Sequence, residues 1–144
     1  MENLILKNVK LLFVEINDKD FGSSITVDVT EPELQNQITT FYANAGLNPK
    51  FKDYTNGKTG ETTKQFSVKI ASFATIQTES GEILSLDEVE GKTSQYNLAF
   101  GATVNIAIKP FEYDNKFGKG KSASVSAIRI VKGAELKNGM SELM

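Results

Sequence analysis

Hydrophobic and polar residues alternate with a period of two along much of this chain, which predicts a mainly β protein. Leu4 to Ile16 is a long β-type run with Val9, Leu11 and Phe13 on one side and Leu12, Val14 and Ile16 on the other. Apolar residues on both sides predict a strand that is buried on both faces or that bends. Beyond the turn Asn17-Asp18-Lys19-Asp20, Phe21, Ser23, Ile25, Val27 and Val29 alternate against Gly22, Ser24, Thr26 and Asp28, as in a half-buried strand. Lys50 to Tyr54 is a short extended segment. Lys64 to Gln77 is a long one, with Phe66, Val68, Ile70, Ala74 and Ile76 toward the core and Lys69 and Phe73 away from it. Ala102 to Tyr113 sends Ala102, Val104, Ile106 and Ile108 inward and Thr103, Asn105, Ala107, Lys109, Phe111 and Tyr113 outward. In Lys121 to Lys132, Val125 and Ala127 share one parity and Ile128 and Ile130 the other, so a bulge is expected near Ala127.

One α-helix is expected near residues 31–45. Thr30 and Glu33 have capping-box spacing, and Pro32 lies in the first turn, where its missing N–H costs little. Leu34, Ile38, Phe41 or Tyr42, and Ala45 fall on one face, and Gly46 supplies the stop. The acidic stretch Glu79 to Gly91 reads as a loop with a short strand. Long strands and a single helix predict a small, strongly bent antiparallel β-barrel. Residues 1–135 are read as one such domain and 136–144 as a flexible tail.

Composition narrows the chemistry. The chain has 144 residues and neither cysteine nor histidine. Disulfides, thiol catalysis, histidine acid–base chemistry, the usual zinc sites and the serine–histidine triad are therefore excluded. No stretch nears the roughly 18 apolar residues of a membrane span. The N-terminus does not read as a secretory signal, and a cytoplasmic location is expected. The carboxylates Glu79, Glu82, Asp87, Glu88 and Glu90 lack calcium-loop spacing and read as a solvated run. Gly118-Lys119-Gly120-Lys121 is not a P-loop, because it lacks the leading glycine and precedes a strand. The expectation is a non-enzyme without catalytic residues, cofactor or metal.

Charge changes the picture more. The net charge of −2 conceals a segregation, with six acids against Lys19 between Glu15 and Glu33. Between Lys92 and Lys137 there are eight bases against three acids. The local field, rather than the net charge, is what a ligand meets. The basic half also carries the outward aromatics. Rings opposite the core, interleaved with cations, are what stacking on unpaired bases requires. Phe111, Tyr113, Phe73 and Phe117 are the candidate stacking residues, and Lys69, Lys109, Lys116, Lys119, Lys121 and Arg129 the candidate phosphate contacts. Arg129, the one arginine, has the parity of Lys121. The hairpin Asp114 to Lys121 reads either as a flexible basic finger or as a solvated tip. Pro110 is the weak joint, since a bulge there would turn Phe111 and Tyr113 toward the core.

The stretch GATVNIAIKPFEYDNKFGKGKSASVSAIRIVKGAE, residues 101–135, resembles the C-terminal part of phage single-stranded DNA-binding proteins of oligonucleotide-binding (OB) fold type. The carrying residues are Phe111, Tyr113, Asp114 and Asn115, then Gly118 and Gly120, then Val131, Lys132, Gly133 and Glu135. Lys7 to Phe13 is similar to the family's first strand. Two features depart from the pattern: the helix comes after the second strand rather than between the third and fourth, and SELM is not an acidic tail. The resemblance implies non-sequence-specific binding of single-stranded DNA in phage replication or recombination, in the cytoplasm of an infected bacterium. It leaves a homodimer and replication or recombination proteins open as partners, with no membrane involved. The alternative is a structural or assembly β-domain whose aromatic face is a protein–protein interface.

Overall fold

The alternating runs close into a ring of strands around one core. The computed structural model describes residues 3–20, 22–55, 57–116 and 118–133, without the side chains of Tyr113, Asp114, Asn115 and Lys119. In chain order the elements are β1 (Leu4–Asp18), β2 (Gly22–Asp28), α1 (Pro32–Asn44), β3 (Phe51–Thr55) and β4 (Thr62–Gln77). There follow β5 (Ile83–Ser85), α2 (Leu86–Val89), β6 (Thr103–Asn115) and β7 (Gly118–Lys132). The ring runs β1–β2–β4–β7–β6 and back to β1, while β3 and β5 add to β4. The mainly β, OB-like fold expected from the sequence is the one observed, with one departure: β4 and β7 run parallel. Strand directions cannot alternate all the way around a closed ring with an odd number of members. One parallel pair is therefore unavoidable, and here it is β4 with β7. The tail, 136–144, falls outside the described residues.

The core is one cluster of inward residues. Leu6, Ile106, Ile128 and Ile76 form a register-matched row across β1, β6, β7 and β4, each at most 1% exposed. Bulges let these long strands bend. Lys7 and Asn8 stand against the single Asn105 of β6; Asn8 has φ 56°, and its N–H donates to Asn105 Oδ1 at 2.7 Å. Leu12 is an extra residue between the pairs Leu11↔Val27 and Phe13↔Thr26. That insertion reverses the strand's parity, so Phe13 is 55% exposed rather than sharing the inward side of Val9 and Leu11. The bulge expected near Ala127 lies at its neighbour Ser126, between the pairs Ala107↔Ala127 and Ile108↔Val125.

Helix α1 buries Ile38 and Tyr42 against the core, as its spacing predicts. Tyr42 meets Phe66 edge-on at 5.6 Å between centroids, and burial pushes its phenol up to about 12. The expected capping box does not form. Glu31 is the N-cap without a side-chain bond, while the Thr30 hydroxyl donates to Asp28 Oδ1 and accepts from the Lys64 N–H. Thr30 is thus used to tie the end of β2 to β4. A complete capping box instead opens α2, between Ser85 and Glu88, in the stretch read from sequence as loop and strand. Four residues with mixed polarity are too short to show a helical period. This short helix sits between the third and fourth strands of the ring, the place where an OB pattern has its helix.

Candidate nucleic-acid interface

The outward face of β4, β7 and β6 is assembled by register. Lys69 on β4 pairs with Ser124 on β7, and Ser124 pairs with Lys109 on β6. With strands about 4.8 Å apart, the two lysines flank a serine at a backbone separation of about 10 Å. The small Ser124 leaves the space between them open. Neither lysine forms an ion pair among the described residues, and both are exposed. Phe111 lies two residues beyond Lys109 on the same side of β6 and is 44% exposed.

Pro110 does not shift that side chain. The ladder from Ile108↔Val125 through Pro110↔Ala123 to Asn115↔Gly118 proceeds without a register change. Among the described residues β1 pairs with β6 no further than Ile108, so Pro110 lies where few ladder bonds need its missing donor.

Phe73 reaches the same groove by another route. Ala71 to Ala74 of β4 stand against the single Ser126 of β7, an outward bulge between the pairs Ile70↔Val125 and Thr75↔Ala127. The bulge holds Phe73 71% exposed. Lys69, Phe73, Lys109, Phe111 and Ser124 line one groove of about 410 Å³, with Ile70, Ala71 and Ser72. Two cations and two aromatic rings, drawn from strands far apart in sequence, thus share one concavity. That arrangement can neutralise phosphates and offer ring faces to bases.

The other expected residues are placed differently. Arg129 pairs with Asn105 on the outer face, near the opposite end of β6. The bulge at Ser126 puts it on the other side of β7 from Lys121, although the two share sequence parity. Lys121 pairs with Glu112 on the inward side, and a Cβ added to Gly46 would lie 3.6 Å from its Nζ. Lys121 therefore reaches the end of α1 rather than the groove. Lys116 is exposed at the turn between β6 and β7. Phe117 and the side chains of Tyr113 and Lys119 lie outside the described residues. The hairpin backbone from Glu112↔Lys121 to Asn115↔Gly118 is paired ladder, so the segment read as a finger or tip is largely β-strand.

Sequence reasoning missed Phe13, which stands on the outer surface beside Thr26; the Thr26 and Ser67 hydroxyls are 2.7 Å apart across β2 and β4. The signal for it was the adjacent pair Leu12-Phe13, where apolar residues occupy consecutive positions and a bulge is the way to accommodate both.

Similar architecture occurs in solved structures. The single-stranded DNA-binding protein from bacteriophage Enc34, as a C-terminal truncation, matches with a TM-score of 0.59 at 18% identity, covering 91% of this chain and 86% of that one. The Enc34 protein in complex with ssDNA matches with a TM-score of 0.56 at 19% identity, covering 91% and 86%. This chain has the fold of phage single-stranded DNA-binding proteins. A further match is gp2.5, the single-stranded DNA-binding protein encoded by bacteriophage T7, with a TM-score of 0.51 at 13% identity over 97% of this chain and 92% of that one. At these identities the likeness is one of fold. No protein-family model matches the sequence, and no curated relative matches it.

Proposed function

We propose that this protein binds single-stranded DNA without strong sequence preference, as a non-enzymatic component of phage replication or recombination. The observation that carries the reading is the groove in which Lys69 and Lys109 flank Ser124 while Phe73 and Phe111 expose their rings. Backbone phosphates attract the lysines and unpaired bases stack on the rings, a combination that tolerates any sequence because every base has a π-face. Duplex DNA hides those faces in its own stack. The fold shared with phage proteins that bind single strands, one of them solved with ssDNA, supports the same reading.

The test is a titration of the full chain with oligothymidylate and with a duplex of equal length. Single strands bind preferentially, tyrosine emission is quenched, and log affinity falls with log salt by about 0.7 for each phosphate neutralised. Equal affinity for the duplex, or a silent titration by a stable oligomer, would favour the aromatic face as a protein interface instead.

A further inference from the structure

A second concavity opens on the same outer face, at the far end of β6 from Phe111. Its centre is two small residues, Ala107 on β6 and Ala127 on β7, paired side by side. Ile5 pairs with Ala107 from β1 and is 47% exposed, while Ile83 on β5 is 65% exposed. The two isoleucines wall a groove of about 240 Å³ over the alanines. One end of it is polar: Gln77, Arg129 and Asn105 form a register-matched row across β4, β7 and β6. Asn105 Oδ1 accepts from the Asn8 N–H, which fixes the side chain and leaves its NH₂ as a donor. Among the described residues, no acidic side chain lines the groove.

We infer that this groove is a second nucleotide site on the same single strand, taking one base against Ala107 and Ala127 between Ile5 and Ile83, with Arg129 on its phosphate. The inference rests on the proposed single-strand binding and adds to it a path. Asn105, Ala107, Lys109 and Phe111 occupy alternate outward positions of one strand, so the two grooves are joined along β6 over about 20 Å. A strand leaving the lysines therefore crosses the alanine floor without turning a corner. A flat ring suits a floor of two methyl groups between two apolar walls. The cation and side-chain amides at one end suit an anion and the hydrogen-bonding edge of a base, whereas a purely apolar partner would leave Arg129 desolvated without a counter-charge.

The experiment is a length series of oligothymidylates titrated against the full chain, its Ile83→Ala/Arg129→Ala double variant and a Lys69→Ala/Lys109→Ala double variant. Ile83 and Arg129 are exposed, so thermal unfolding of that variant should match the parent. Affinity of the parent rises in a further step once the oligonucleotide is long enough to reach the second groove. The Ile83→Ala/Arg129→Ala variant keeps parental affinity for the shortest binding oligonucleotides and loses about tenfold on the longest. The lysine variant loses affinity at every length. Equal losses of the Ile83→Ala/Arg129→Ala variant at all lengths, or none at any, would overturn the second site while leaving the first intact. A parent that binds no oligonucleotide overturns both.

Discussion

Lys69 and Lys109 stand in a different setting from Lys121, although all three are lysines on strands of the ring. The first two flank Ser124 on the outer face, and the third lies against the end of α1. Replacing Lys69 or Lys109 with alanine should lower the salt slope of oligothymidylate binding by about 0.7 each, whereas Lys121→Ala should change it less. Phe73→Ala and Phe111→Ala should each weaken binding by about 1–3 kcal/mol with the salt slope kept, since stacking releases no counterions. Salt-dependent titrations of the variants distinguish the two behaviours. The alternation in β4 and β6 made Lys69, Phe73, Lys109 and Phe111 legible as outward residues. Phe13 was misplaced because a bulge flips every later side chain to the other face, and only the pairing partner reveals where the extra residue falls. Lys121 lies before the bulge at Ser126 and shares the inward parity of the buried Val125, which the basic character of the hairpin obscured.

At the scale of elements, α1 ends in a Schellman motif. The Leu47 N–H donates to Tyr42 O at 2.7 Å and the Gly46 N–H to Ala43 O at 3.0 Å, with Gly46 at φ 76°. Gly46→Ala should destabilise the protein by about 1 kcal/mol through the backbone conformation alone. An added Cβ meets Lys121 only at ordinary contact distance, so crowding adds nothing. Urea denaturation of Gly46→Ala and Gly46→Asn checks this, with asparagine expected to cost less because it tolerates the left-handed region. The stop at Gly46 and the apolar stripe of α1 were readable in sequence. Its start was not, because Thr30 has two uses open to it and the tertiary bond to Lys64 takes the hydroxyl. The helix α2 was hidden by its length, since one turn of Leu-Asp-Glu-Val carries no periodicity that distinguishes it from a loop.

For the whole molecule, closure of the ring depends on β7, which pairs with β6 on one side and with β4 on the other. Ile128 sits at that junction, 1% exposed, between Ile106 and Ile76. Ile128→Ala should cost about 2–5 kcal/mol and Ile128→Val about 1 kcal/mol, because the ring walls cannot collapse into the space. Thermal and urea unfolding measure both. The loss should carry DNA binding with it, since the groove spans the same three strands.

What the sequence determined by itself is local: the period of two, the apolar face of each strand, the helix and its glycine stop, and the segregation of bases from acids. These depend on each residue and its near neighbours. The tertiary structure decided which strands meet, that β4 and β7 run parallel, where the bulges reverse a face, and that Lys69–Phe73 and Lys109–Phe111 share one groove. Those outcomes come from closing an odd-membered ring, in which register is set by partners distant along the chain. No local pattern records that constraint.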